Sequence, residues 1–264
     1  MPNSLTKVKI LRGSVRRGAS GLRHNTGVLC KLSEAKSSNL YVNYKTAEKL
    51  QNAREYFREH LCAGEYYTEQ HKNAGEWFGH GAEKLGLKGT VQEQPFLNLC
   101  EGLDPNTQEW LTLRRNTERR ENGQMMANRR VLYDFTISLP KSVSIFALLK
   151  DERIVRLHNE AVKSAMRELE VFASSQVHHG SSHSVRTTSN VIGAAFRHES
   201  RRKLNPHLHT HCIVFNATFD AAEQRWKALE PAAMYCAQKF VENVYYHMLC
   251  QGLSSLGYEV EPAK

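Results

Sequence analysis

Apolar and polar side chains alternate through "VLYDFTIS", residues 131–138, with the period of a strand, and Pro140 ends that ladder because it has no N–H to donate. Farther along, Ile154, Leu157, Ala161, Ala165, Leu169 and Phe172 recur at helical spacing and predict a helix over residues 151–175. Two more strands are predicted at "NVIGAAFRHE" and "LHTHCIVFNATF", followed by a helical stretch from Pro231 to Leu256. Nearer the N-terminus, "NLYVNY" reads as a strand. It leads into a helix over "KTAEKLQNAREYFREHL", with Thr46 as N-cap and Ala47, Leu50, Ala53, Tyr56 and Phe57 near helical spacing. The glycine-punctuated "GEYYTEQHKNAGEWFGHGAEKLGLKG" predicts loop plus a short helix from about Gly81, and "VHHGSSHS" predicts an exposed loop. Three or four strands alternating with two long helices predict an α+β fold, a mainly antiparallel sheet with helices covering one face.

Residues 1–37 carry neither period and are rich in Lys, Arg, Gly and Ser, so a basic, flexible N-terminal arm is expected ahead of one domain over 38–264. Charge narrows the partners. Thirty-six Lys and Arg against 27 Asp and Glu leave a net +9, which favours a polyanion, nucleic acid before anionic membrane. The six cysteines (Cys30, Cys62, Cys100, Cys212, Cys236, Cys250) form no CxxC pair and no disulfide spacing, as in a reducing compartment. No run of about 18 apolar residues and no apolar leader core is present, so no membrane insertion and a cytoplasmic location are expected.

Candidate chemistry concentrates in "FRHESRRKLNPHLHTHCIVFNAT". On a strand, His209 and His211 share a face, and His198 near the end of the preceding strand can meet them across a hairpin-like connection. His207 is expected to turn away from that pair. One strand histidine is ordinarily a solvated side chain. An HxH on an apolar strand with a third histidine upstream instead suits a three-imidazole metal site with open positions, for which zinc, nickel, copper or iron fits better than magnesium. His178, His179 and His183 of the predicted loop are weak ligand candidates. With no GxxxxGK[ST] loop, a nucleoside triphosphatase is disfavoured, while the basic balance keeps phosphodiesters in view. "EYF" and "EYY" offer Tyr56, Tyr66 and Tyr67 as nucleophiles. A tyrosine of pKa near 10 costs about 4 kcal/mol to ionise at neutral pH, so a base or a metal has to help.

The order of motifs, "EYF", "EYYTEQHKNAGEWFGHGAEKLGL", "DFTISLPKSVS", "FRHESRRKLNPHLHTHCIVFNAT" and "RWKALEP", resembles the relaxase domain of TrwC/TraI-type conjugative relaxases, the MobF class of HUH endonucleases, from about Leu40 onward. The resemblance implies an antiparallel palm flanked by helices and a domain that stops short of the family's usual extent. It implies nicking and strand transfer of single-stranded DNA at an origin of transfer through a 5′-phosphotyrosine, in the bacterial cytoplasm, with accessory DNA-binding and coupling proteins. By the same resemblance His198, His209 and His211 are the ligands of a divalent metal ion, magnesium or manganese ahead of zinc or nickel, with no organic cofactor. Asp134 matches the aspartate that orients a histidine and the nucleophile. Tyr56 matches the tyrosine of the first cut, with Phe57 as the second member of that pair, and Tyr66 and Tyr67 match the pair used in later strand transfer.

DNA contact is expected from Arg129 and Arg130 within a basic run that also holds Arg114, Arg115, Arg119 and Arg120, from Lys141 and Ser142 at a strand-to-helix turn, and from Arg197, Arg201, Arg202 and Lys203 among the histidines. Such runs are more often solvated faces. A rolling-circle replication initiator, whose tyrosine follows the histidines on a helix (here Tyr235, Tyr245 or Tyr246), and a zinc nuclease using metal-bound water are the competing readings.

Overall fold

The structure is a computed structural model that describes residues 10–11, 29–30, 40–46, 55–61, 75–113, 118–121, 124–127, 130–180, 182–201 and 205–260. Its centre is a five-stranded sheet of β1 (Leu40–Thr46), β2 (Glu76–Phe78), β3 (Arg130–Ser138), β4 (Gly193–Arg201) and β5 (Asn205–Phe215). The spatial order is β1-β3-β5-β4-β2, and every neighbouring pair is antiparallel.

Alternation along β3 divides its side chains between two environments. Tyr133, Phe135 and Ile137 face one side, where they join Leu208, Cys212 and Val214 of β5 beneath three helices, α2 (Lys141–Leu149), α3 (Arg153–Glu170) and α4 (Gln238–Ser255). The long helices bury the stripes that their period predicts, Ile154, Ala161, Ala165 and Leu169 on α3 and Val241, Tyr245, Leu249 and Leu253 on α4. Pro140 sits at the start of α2, so the residue that ends the ladder also opens the helix.

The opposite face is not bare, contrary to the one-sided cover expected. Leu132, Ala194, Phe196, Ile213 and Phe215 pack there with Phe57, Trp77, Phe96 and Leu97, the last two from a short helix, Glu93–Glu101. The segments that supply this second cluster are short apolar pieces with no sustained period, and β2, at three residues, is too short to show alternation.

Ser174–His179 and Ser182–Thr187 form a hairpin, extended by Leu229–Glu230 into a separate three-stranded sheet, where an exposed loop was expected. Its second strand is wet along most of its length, so no apolar alternation marks it. Thr46 is the last residue of β1, residues 47–54, where the helix is expected to begin, lie outside the described residues, and Tyr56–Leu61 is a π-helical turn. Within residues 1–37, Ile10–Leu11 pairs with Leu29–Cys30, which pairs in parallel with Glu259–Val260.

Edge strand β2 is held on β4 by a glycine. Phe78 lies opposite Gly193, and a Cβ at that glycine would stand 2.3 Å from a Phe78 ring carbon. Gly193→Ala is therefore expected to displace the ring and lower stability by about 1–3 kcal/mol, read as a lower urea midpoint at unchanged m.

Candidate active site

Strand register brings the histidines together. His198 on β4 lies directly opposite His209 on β5, and His211 follows two residues later on the same face. Ring centroids are 5.3 Å apart for His198 and His209, 5.1 Å for His198 and His211, and 5.2 Å for His209 and His211. One ring nitrogen from each lies within 4.8 Å of the others, and among the described residues this is the one group of three or more potential ligands.

The hydrogen bonds fix which nitrogen is offered. His209 Nδ1 lies 2.9 Å from the carbonyl oxygen of His207, which can only accept, so that nitrogen carries the proton and Nε2 is left with its lone pair. His211 Nδ1 lies 2.8 Å from Asp134 Oδ2 and is fixed in the same way. Burial, more than any other cause, lowers the pKa of His209 to about 3, so its imidazole is neutral and ready to ligate. Three imidazoles, two with their other ring nitrogen already committed, fit a divalent transition metal ion with further positions left for water or substrate oxygen. His207, expected to turn away, shares the face of the pair, as a separation of two residues on a strand requires. Its ring centroid is 5.5 Å from that of His209.

Asp134 is buried on β3 two residues before Thr136, which faces His211 across the β3–β5 ladder. Its carboxylate gathers three donors. His211 Nδ1–H and Tyr56 Oη–H both reach Oδ2 at 2.8 Å, and the Thr136 hydroxyl reaches Oδ1 at 3.1 Å. Burial alone would raise the Asp134 pKa, but the bonds from His211, Tyr56 and Thr136 together with the His211 charge hold it below the ordinary carboxylate value. Tyr56 enters from the π-helical turn, and Phe57 beside it is buried against Phe96 at 4.7 Å and Phe196 at 5.9 Å, which pins the backbone that carries the hydroxyl. Burial first, and the Asp134 charge second, push the Tyr56 pKa well above its ordinary value. Left to these neighbours the phenol stays protonated, so positive charge must arrive before it can attack.

The other expected residues are distributed unevenly. Lys141 and Ser142 are exposed on the first turn of α2, which follows the end of β3 where Ser138 faces His209. Arg130 is exposed at the start of β3. Arg197 faces Thr210 in the ladder and so lies on the helix-covered side, away from the histidines, paired with Glu199 at 3.1 Å. Tyr66, Tyr67, Arg129, Arg202 and Lys203 lie outside the described residues, as does the side chain of Arg201. Tyr245, a candidate nucleophile of the competing reading, is buried on that helix-covered side with its hydroxyl 2.7 Å from His158 Nδ1, a packing role.

Two features were not anticipated. Thr136 touches both Asp134 and His211, and its signal was the Asp-x-Thr spacing on one strand face. His158 of α3 bonds Thr210 at 2.9 Å and ties the strand carrying both His209 and His211 to the helix layer. Burial lowers the His158 pKa to about 3 as well. Both His209 and His158 are thus protonated more readily in the unfolded chain, where the ordinary value is 6.5. Their contribution is complete above that value and is lost as pH falls toward 3, with Asp134 adding a loss below its ordinary 3.8. In chelator, the urea midpoint is expected to fall steadily between pH 7 and pH 4; a flat profile would contradict the neutral buried histidines.

Comparison with known proteins bears on this geometry. The sequence pattern of the family described as TrwC relaxase matches residues 50–264. The multifunctional conjugation protein TraI of Escherichia coli strain K12 is 35% identical over 216 residues, which are 75% of this chain and 12% of TraI. The chain therefore spans about an eighth of the length of that relative. Solved structures of the conjugative relaxase TrwC in complex with oriT DNA, one copper-bound and one described as metal-bound, superpose with a TM-score of 0.69 at 29% identity, covering 84% of this chain and 72% of theirs. The helices and antiparallel sheet of this chain follow that fold.

Proposed function

Because the chain belongs to the TrwC relaxase family, we propose that it nicks single-stranded DNA at an origin of transfer and transfers the strand through a tyrosine. The observation that carries this reading is the shared carboxylate: Asp134 Oδ2 accepts from both Tyr56 Oη and the Nδ1–H of His211, joining the nucleophile to the histidine cluster.

A divalent ion held by His198, His209 and His211 supplies, when bound, positive charge against the scissile phosphate, where charge grows on the non-bridging oxygens. The protein does the rest. Asp134 aims the Tyr56 hydroxyl and receives its proton as the oxygen attacks phosphorus. The new Tyr56 O–P bond replaces the bond from phosphorus to the 3′-oxygen, which leaves as a hydroxyl with a proton relayed through solvent as Asp134 gives up the one it took, so the carboxylate is restored. One phosphodiester is exchanged for another of similar energy, so the step needs no nucleotide and runs backward to rejoin the strand. Tyr66 or Tyr67 serves as the second nucleophile in the later transfer. Lys141, Ser142 and Arg130, with Arg129 and Arg201, Arg202 and Lys203, supply phosphate contacts, whereas Arg197 is a weaker candidate because of the face it occupies.

In the cell we assign magnesium or manganese to the site, on availability and not on ligand preference, which favours the later transition metals, and a cytoplasmic setting with accessory DNA-binding and coupling proteins. No described helix is long and apolar enough to cross a membrane. The test is incubation with labelled single-stranded DNA from the cognate origin and Mn²⁺, read on a denaturing gel. A covalent protein–DNA band that chelator abolishes is expected. Cleavage without such a band would move the reading to a nuclease that uses metal-bound water.

A further inference from the structure

A second pair of histidines lies away from the proposed active site. His178 and His183 are directly opposite one another in the Ser174–His179 and Ser182–Thr187 hairpin, both exposed, with Nδ1 atoms 2.7 Å apart and ring planes perpendicular at a centroid distance of 4.6 Å. Cross-strand partners keep their side chains on one face, so the ladder itself holds the two nitrogens together. Metal–imidazole bonds run about 2.0–2.1 Å, and two of them at a right angle place their nitrogens about 2.8–3.0 Å apart. The separation of 2.7 Å thus approaches the bite of a cis pair on a square-planar or octahedral ion.

The geometry points to a second, surface metal site at His178 and His183, selective for Cu²⁺, Ni²⁺ or Zn²⁺ over Mg²⁺ and completed by water. Without metal, one Nδ1–H donates to the other Nδ1. With metal, both rings carry their proton on Nε2 and turn both Nδ1 lone pairs to the ion. The rings must swing so that both lone pairs leave the line between the nitrogens and meet at the ion, and the exposed position lets the ion enter from solvent. Imidazole nitrogen and the order of divalent affinities place Cu²⁺ first, while Mg²⁺, which keeps its water and prefers oxygen, stays off the pair. A consequence follows for any metal titration of this protein: with copper, nickel or zinc the count includes an ion that takes no part in nicking, and with magnesium it does not.

The experiment is a Cu²⁺ titration followed by calorimetry and electron paramagnetic resonance, on the native chain and on His178→Ala, His183→Ala and His247→Ala. His247 is another exposed histidine, on α4, and serves as the control. Each hairpin variant is expected to bind about one equivalent fewer than the native chain and to lose a two-imidazole signal, whatever the triad binds. The control should match the native chain. Equal stoichiometry in native protein and His178→Ala overturns the site, and so does an equal loss in His247→Ala, which would mark scattered surface binding. Circular dichroism of the variants establishes that the fold is intact.

Discussion

Tyr56→Phe is expected to abolish the covalent protein–DNA product while leaving both DNA and metal binding in place. Among the described tyrosines, Tyr56 is the one whose hydroxyl reaches the histidine cluster through a carboxylate, 2.8 Å from Asp134. The variant removes that oxygen and nothing else, so the ring still fills its place beside the aromatic cluster anchored by Phe57. Loss of a nucleophile costs on the order of 10⁴–10⁶-fold in rate, far below the detection limit of a gel. The accompanying loss of one charge-assisted hydrogen bond is worth about 2 kcal/mol, small enough for the protein to remain folded. Chemistry and fold are therefore separable in this variant. Persistence of the band in Tyr56→Phe, with its loss in Tyr66→Phe, would keep the reaction and exchange the roles of the two tyrosines.

How far this site could be read from residues alone depends on which relation is local. Alternation placed Asp134 on a strand and His209 with His211 on one face, because period two is a property of neighbouring residues. The position of His198 opposite His209 is a matter of register, and a slip of one residue would have set Arg197 or Glu199 there instead. Nothing local fixes that choice; the packing of Ala194 and Phe196 against the second apolar cluster does, since a slip would turn both toward the helices. Threonine is an ordinary strand residue, so Thr136 does not stand out in the sequence, and its value lies in facing His211 on another strand. The hairpin is hard to read from the sequence for the opposite reason. Its second strand is wet and its first buries Ser174, Ser175 and Val177, one of them apolar, so neither carries an apolar pattern, and pairing there is sustained by the backbone ladder and by Leu229–Glu230 on its flank. Tyr56 and Phe57 were grouped on one helical face, and the structure gives them a division of labour, one bonded to Asp134 and the other locked among Phe96 and Phe196.

Asp134→Asn is the substitution that tests this division from the other side. Three donors converge on the carboxylate, His211 Nδ1–H and Tyr56 Oη–H at one oxygen and the Thr136 hydroxyl at the other. An asparagine has one acceptor oxygen, and its NH₂ group meets at least one donor head-on in either orientation. If the NH₂ faces His211, the imidazole gains by moving its proton to Nε2, the nitrogen it would offer to metal. If it faces Thr136, the hydroxyl must turn away and the carbonyl keeps His211 and Tyr56 without a negative charge to hold them. Either way metal affinity is expected to fall about 10–100-fold, the usual effect of losing a carboxylate behind a histidine ligand. The nicking rate is expected to fall about 10²–10⁴-fold, because the group that orients the phenol and takes its proton is gone as well. Measuring the rate at saturating Mn²⁺ separates the two effects. A rate restored by excess metal would confine Asp134 to holding His211, whereas a deficit that persists at saturation assigns it the tyrosine too. Unchanged affinity and unchanged rate together would remove Asp134 from the reaction, and with it the shared carboxylate on which the assignment of Tyr56 rests.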